Sequence, residues 1–134
     1  MTAFEVADDV VGRQYVCDYW GCQGNIGSAD AVLKVLREAV ERANATLLKL
    51  FIHQFSPQGV TAIAIIAESH IIIHTWPEKR YIALDVFTCG EKAIPERAVE
   101  IVREAFVPSQ VETREIRRRA SCYLSLPEPR GDRQ

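Results

Sequence analysis

An apolar stripe at helical spacing constrains the fold of this chain more than any other feature. Six apolar residues recur every three or four positions and so share one helix face: Val32, Val35, Leu36, Ala39, Val40 and Ala43. Ser28 suits the N-cap of this helix, and the pattern ends near Asn44. A second stripe, between Pro95 and Pro108, contains Ala98, Ile101, Val102 and Ala105. Both predicted helices need an apolar surface to cover.

Segments of strand length would supply that surface. We predict six strands, separated by turn residues, at Val10–Tyr19, Thr46–Phe55, Val60–Ala67, Ile71–Thr75, Tyr81–Thr88 and Val111–Ile116. Together the elements predict an α+β fold, a two-layer α/β sandwich in which one antiparallel sheet carries both helices on one face. The other face would stay apolar, which predicts that two copies pack into a larger α/β sandwich.

Length and charge exclude several classes of protein. The chain has 134 residues, of which 48% are hydrophobic, so we expect a single domain over 1–134 with a flexible tail at 125–134. A net charge of −2 argues against a nucleic-acid partner. Arginines at 114 and 117–119 are typical of a protected edge strand. The longest apolar run, Ala62–Ala67, is too short to cross a membrane, and no signal peptide is visible, so we expect a cytoplasmic protein.

The four cysteines do not form a metal-binding pattern. Cys17, Cys22, Cys89 and Cys122 are scattered, and no second Cys or His pair has zinc-finger spacing. Without an export signal a disulfide framework is not expected, so we predict reduced thiols and no metal site.

The densest polar cluster lies in the segments Glu68–Glu78 and Asp85–Gly90, which are otherwise apolar. Buried polar groups are costly unless they are paired, so the cluster needs a reason. A serine hydrolase would need glycines around Ser69, and none is present. A zinc site between His70 and His74 is disfavoured because the two imidazoles would lie about 13 Å apart on a strand. The residues alone leave catalytic and packing roles open.

Strand geometry also limits how Ser69 can act with its neighbours. On a straight strand Ser69 and His74 would lie about 16 Å apart on opposite faces. They can cooperate only if the chain reverses or bends near Glu68-Ser69-His70, at the boundary between two apolar runs. If the following hairpin is centred near Lys79, Cys89 would lie roughly across from Ser69, within about 5.5 Å between the Cβ atoms.

These segments closely resemble the core of the prokaryotic S-adenosylmethionine decarboxylase proenzymes, a pyruvoyl-dependent family. The motifs that carry the resemblance are Glu68-Ser69-His70, His74-Thr75-Trp76-Pro77-Glu78 and Asp85-Val86-Phe87-Thr88-Cys89-Gly90. Upstream, the segments His53–Thr61 and Gly12-Arg13 are also similar to the family, so the resemblance extends from about Val11 to Ile116.

The resemblance implies that the chain cuts itself between Glu68 and Ser69, giving a β chain 1–68 and an α chain 69–134. Ser69 would become a pyruvoyl group, the only cofactor that the family implies. The family pattern makes His74 the base that removes the Ser69 Cα proton. Thr61 stands where the family usually has Ser, and its hydroxyl would support the first step of cleavage.

The resemblance also implies the roles of residues in turnover. The pyruvoyl group would form a Schiff base with the substrate amine and act as an electron sink, and Cys89 would return a proton. On residue type alone, Cys89 is more typical of a buried apolar thiol. Phe55 resembles the aromatic residue that stacks on adenine, and Glu78 resembles the acid that binds the ribose hydroxyls. The implied reaction is decarboxylation of S-adenosylmethionine to the aminopropyl donor for spermidine synthesis.

Departures from the family pattern keep alternatives open. Gln14 and Tyr15 follow Gly12-Arg13, Ala62 stands where Gly is frequent, and the insertion Cys22–Gly27 is unusual. One alternative is a pyruvoyl-dependent arginine or ornithine decarboxylase on the same scaffold. Another is an inactive homologue that regulates an active subunit, although the intact serine, histidine and cysteine of the motifs argue against it. In the main interpretation the partners are a small-molecule substrate, the β and α chains, and a second αβ unit in a homodimer. The sequence does not decide a role for the insertion or for the arginines at 114–119 beyond edge protection.

Overall fold

The computed structural model describes residues 9–121, and its elements follow the predicted order. The strands are β1 (Val10–Trp20), β2 (Leu47–Gln54), β3 (Val60–Ile66), β4 (Ser69–Trp76), β5 (Tyr81–Cys89) and β6 (Gln110–Arg119). The helices are α1 (Ala29–Arg42), α2 (Pro95–Phe106) and a 3₁₀ turn at Pro77–Lys79. All predicted helices and strands are present, with ends within about three residues of the predicted ones. The predicted tail 125–134 and Cys122 lie outside the described residues.

Local signals explain where the helices begin and end. The Ser28 hydroxyl accepts a hydrogen bond from the Ala31 N–H at 3.1 Å, as expected of an N-cap. After α1 the chain leaves through Asn44 in the left-handed region (φ 58°), which Asn tolerates well. Pro95 occupies the first turn of α2, where its missing N–H is not needed.

One six-stranded sheet holds the molecule together, with the strand order β2-β3-β4-β5-β1-β6. Every neighbouring pair is antiparallel, and β2 and β6 form the two edges. β4 lies in the interior between β3 and β5, so its residues have a partner on both sides: His74 faces Thr61 on β3 and Ala83 on β5. The prediction that the arginines at 114–119 lie on an edge strand is confirmed.

Both helices cover the same face of the sheet. Residues that alternate along the strands, such as Tyr19, Ile71 and Val86, are buried there against the apolar stripes of the helices. The prediction of an α+β sandwich with the helices on one side is confirmed.

The opposite sheet face, called the open face below, carries the other alternating residues. It includes Thr61 and Ile63 on β3, His70, Ile72, His74 and Trp76 on β4, and Ala83, Asp85 and Phe87 on β5. Five large apolar side chains of this face are at least 38% exposed: Trp20, Phe51, Ile65, Trp76 and Ile116. No helix of the described residues covers it. The predicted apolar second face is therefore present.

In the part of the chain that the structure describes, neither helix is long and apolar enough to span a bilayer.

Candidate functional site

β4 carries two of the residues that sequence analysis singled out, and it keeps them apart. The chain reverses at residues 67–68, before β4 begins, so Ser69 and His74 lie on one continuous strand. At the usual rise per strand residue, their Cα atoms are about 16 Å apart. The predicted reversal near Glu68-Ser69-His70 is present, but it falls before Ser69 and so leaves Ser69 and His74 on the same strand. A single chain therefore does not bring Ser69 and His74 together.

A pocket of about 530 Å³ lies at the His74 end of β4. Its lining consists of Phe55, Gln58, Gly59, Thr61, His74, Thr75, Trp76 and Glu78. Four of the predicted site residues thus share one pocket, namely Phe55, Thr61, His74 and Glu78. Thr61 Oγ1 lies 2.9 Å from His74 Nδ1, because the two residues are paired across β3 and β4. This hydrogen bond orients the imidazole through Nδ1, and Nε2 takes no part in it.

Aromatic side chains form two walls of this pocket. Phe55 contacts His53 edge-to-face, with 4.5 Å between ring centroids, and its N–H donates to the Gly59 carbonyl at 2.8 Å. Trp76 packs on Tyr81 at 5.2 Å between centroids. The Tyr81 hydroxyl donates a short hydrogen bond to the Asp18 carboxylate. Burial, reinforced by this bond, raises the pKa of Tyr81 to about 12, so Tyr81 is a neutral donor at pH 7.

The unusual insertion Cys22–Gly27 packs against the turn that carries Glu78. The Cys22 N–H donates to the Arg80 carbonyl at 2.9 Å, and Arg80 donates back to the Gly24 carbonyl at 3.3 Å. Gly27 lies so close to Pro77 that an added Cβ would be 3.1 Å from the Pro77 ring. The insertion therefore supports the 3₁₀ turn beside the pocket, a role that sequence analysis left undecided.

The Glu68–Ser69 bond lies at the other end of β4, where several contacts hold it. The Cys89 N–H donates to the Glu68 carbonyl at 2.8 Å. The Glu68 side chain accepts a hydrogen bond from the Thr46 N–H at 3.1 Å. Ser69 has φ +141°, a region that costs a residue with a side chain about 1–3 kcal/mol. The backbone is thus strained at Ser69, directly after the bond that the family resemblance marks for cleavage, and the carbonyl of that bond is polarised.

The prediction that Cys89 lies roughly across from Ser69 is confirmed to within one residue. Ser69 pairs with Thr88, and Cys89 lies one position further, beside Glu68. The reason is the position of the hairpin: the 3₁₀ turn pairs Trp76 with Tyr81, which shifts the register from the one expected. Cys89 is nevertheless at the Ser69 end of the sheet, and its thiol is exposed. A shallow groove of about 190 Å³ passes beside it, between the start of β1 and the end of β5.

The surroundings of the Glu68–Ser69 bond fit the pyruvoyl group that the family resemblance implies at Ser69. A cut before Ser69 would leave that residue as the first residue of β4, held by pairing to β3 and β5. The N-terminal piece would keep β1, β2 and β3, and the C-terminal piece would keep β4, β5 and β6, so one sheet would join both. Among residues 9–121, no three or more His, Cys, Asp or Glu side chains are grouped so as to hold a metal ion.

Comparison with models of protein families shows which family this chain belongs to. The family model of S-adenosylmethionine decarboxylase matches residues 13–119, which include every segment of the site. This chain belongs to that family. The resemblance found in the sequence motifs is therefore confirmed.

Individual relatives of the S-adenosylmethionine decarboxylase family agree. The chain is 45% identical over 111 residues to an S-adenosylmethionine decarboxylase proenzyme of Pyrococcus abyssi, covering 82% of this chain and 80% of the relative. It is 48% identical over 109 residues to that of Thermomicrobium roseum, covering 81% and 93%. The crystal structure of adenosylmethionine decarboxylase from Aquifex aeolicus superposes with a TM-score of 0.80 at 29% identity, covering 89% of this chain and 99% of that one.

Sequence reasoning missed three features of the site. The backbone N–H of Cys89 contacts the Glu68 carbonyl, but a backbone contact between strands leaves no signal in residue types. The Glu68 side chain holds the turn through Thr46, which is remote in sequence. His70 lies beside Ser69, with 3.5 Å between Nδ1 and Oγ. Only His70 had a usable signal, because it follows the serine directly.

Proposed function

We propose that this chain cuts itself between Glu68 and Ser69 and then decarboxylates S-adenosylmethionine, with each active site built from two copies of the chain. The observation that carries the proposal is the Glu68–Ser69 bond, which combines a positive φ at the serine with a carbonyl held by the Cys89 N–H. The relatives are named S-adenosylmethionine decarboxylase proenzymes, which supports this substrate and gives no support to arginine or ornithine.

Self-cleavage begins at Ser69. Its Oγ attacks the Glu68 carbonyl carbon, and the negative charge that develops on the carbonyl oxygen is stabilised by the Cys89 N–H. The C–N bond to Ser69 then breaks, which leaves an ester and a free amine and relieves the strain at the Ser69 φ. A base next removes the Ser69 Cα proton, so that the ester oxygen leaves with the main-chain carbonyl of Glu68 as a carboxylate. Loss of ammonia by hydrolysis completes the pyruvoyl group on the α chain 69–134, while the β chain is 1–68.

His74 suits the role of that base, but its own Ser69 is about 16 Å away. A two-fold axis that lies between two stacked sheets, at right angles to the strands, reverses the direction of β4 in the second copy. It therefore brings the Ser69 end of β4 in one copy next to the His74 end of β4 in its partner, and each pair of copies contains two such sites. The open apolar face is the surface that this stacking would bury, with the sheets about 10 Å apart.

Stacking of the two sheets would also divide the remaining site residues between the two copies. One copy would contribute Ser69 and Cys89, and its partner would contribute the pocket with Phe55, Thr61, His74 and Glu78. When present, the pyruvoyl ketone supplies an electron sink for the decarboxylation. The Cys89 thiol delivers the proton that replaces the lost carboxyl group. The Phe55 ring offers a π face to adenine and sulfonium, and the Glu78 carboxylate accepts hydrogen bonds from ribose hydroxyls.

The cytoplasm is the proposed location of this reaction. Cys17, Cys22 and Cys89 are free thiols, which suits a reducing compartment.

Denaturing mass spectrometry of the purified protein tests the cleavage. We expect two chains, 1–68 and a pyruvoyl-blocked 69–134, whereas Ser69→Ala should remain one chain. Release of labelled carbon dioxide from S-adenosylmethionine, arginine and ornithine then tests the substrate. An active wild type that stays uncut would overturn the mechanism, and preference for a free amino acid would overturn only the substrate.

A further inference from the structure

His70 is an ionisable side chain directly beside the Glu68–Ser69 bond, and the proposed function leaves it without a role. Its Nδ1 lies 3.5 Å from Ser69 Oγ within the same chain. That distance is long for a hydrogen bond, but catalytic contacts often tighten only during the reaction. The neutral imidazole can accept a proton at Nδ1 when its other nitrogen carries the hydrogen.

Neighbouring side chains hold the His70 ring in place. His70 pairs with Phe87 across β4 and β5, and the rings meet edge-to-face with 5.7 Å between centroids. Phe87 in turn lies over Gly12, where an added Cβ would be 2.6 Å from the ring. The Arg118 guanidinium carbon lies 5.5 Å from the centroid of the Phe87 ring. These contacts fix the orientation of the His70 imidazole, whereas an isolated surface histidine would have no neighbours to fix it.

We propose that His70 is the general base and then the general acid of the first cleavage step. Nδ1 takes the proton from Ser69 Oγ as the oxygen bonds to the Glu68 carbonyl carbon. The protonated imidazole gives the same proton to the Ser69 nitrogen as the C–N bond breaks. The step ends with an ester, an amine and a neutral imidazole, so protons and charge balance without another reactant. The inference rests on the proposed self-cleavage and adds a residue to it.

The positions of the two histidines of β4 favour a division of labour. His74 contacts Thr61 at the far end of β4, about 16 Å from its own Ser69, and would reach a Ser69 in a second copy. His70 needs no second copy to reach its own Ser69. His70 would therefore form the ester, and the partner's His74 would resolve it.

The test isolates ester formation in a His74→Ala background, which should stall at the ester. Hydroxylamine cleaves that ester, so fragments counted by denaturing mass spectrometry report its rate of formation. Adding His70→Ala should lower this rate roughly 10²- to 10⁴-fold, the usual contribution of general acid–base catalysis. His70→Asn, which keeps an acceptor near the Nδ1 position but is not basic, should be as slow. Imidazole added to the His70→Ala protein should restore part of the rate.

The outcomes separate this inference from the proposed function. His53→Ala removes the third histidine of the chain and should form ester at the parent rate. If His74→Ala stalls at the ester and both His70 variants form it at the parent rate, the role of His70 is wrong and self-cleavage stands. A His70→Asn protein that forms ester at the parent rate, beside a slow His70→Ala, would reduce His70 to a positioning residue. If Ser69→Ala is still cut, the proposed function itself fails.

Discussion

Two inactive variants should restore each other if the active site is built from two copies. Ser69→Ala cannot form the ester, and His74→Ala cannot resolve it, so neither should mature alone. In a mixed pair, one site would combine the intact Ser69 of one chain with the intact His74 of the other. The second site of that pair would carry both alanines and stay inactive.

The magnitude follows from the geometry of β4. Ser69 and His74 of one chain are about 16 Å apart, and side chains on a straight strand do not span that distance. Random pairing of equal amounts gives about half mixed pairs, each with one working site. About half of the His74→Ala chains should therefore acquire the pyruvoyl group, and decarboxylase activity should reach about a quarter of the wild-type value.

Co-expression with two different affinity tags provides the assay. Tandem purification selects mixed pairs, denaturing mass spectrometry identifies which chain is cut, and carbon dioxide release gives the activity. Only the His74→Ala chain should be cut. Mixed pairs without any pyruvoyl would refute the two-copy site, as would a His74→Ala protein that matures alone at the wild-type rate.

Three further predictions test the pocket, the turn and the helix contact. Phe55→Ala and Glu78→Gln should each lower kcat/KM for S-adenosylmethionine roughly ten- to a hundred-fold, because each loses about 1–3 kcal/mol of binding to the substrate, and neither should slow self-cleavage. Steady-state kinetics would measure kcat/KM, and mass spectrometry would measure cleavage. Slowed cleavage in either variant would contradict the assignment of these residues to substrate binding. Glu68→Ala should slow cleavage roughly three- to ten-fold through loss of the exposed bond to Thr46, whereas Glu68→Gln, which keeps an acceptor, should cleave nearly normally in a timed assay. Burial disfavours the Glu96 carboxylate, but hydrogen bonds from Tyr15 and Arg13 outweigh burial and lower the Glu96 pKa. The stability that these hydrogen bonds contribute should therefore be lost as the pH falls through the lowered Glu96 pKa. Tyr15→Phe should lower the free energy of unfolding by about 1 kcal/mol in urea titrations at pH 7, and by less at pH 3.

Residue patterns were sufficient for the elements and for the family. The stripe from Val32 to Ala43 and the apolar run from Val60 specify a helix and a buried strand through local periodicity, which does not depend on distant contacts. The Glu68-Ser69-His70 motif and the His74–Glu78 segment identified the family because the order of residues along the chain carries that signal. The apolar second face also followed, because both helices were expected on one face of the sheet, which leaves the other face uncovered.

Only the tertiary structure decided how the site residues are distributed. The turn at residues 67–68 precedes Ser69, so β4 is straight and separates Ser69 from His74; residue types do not determine on which side of a serine a chain reverses. The 3₁₀ turn after Trp76 set the register that places Cys89 beside Glu68, because a hairpin's pairing depends on backbone geometry in its turn. Contacts such as Glu68 with Thr46 join positions far apart in sequence, and they exist only once the sheet has formed.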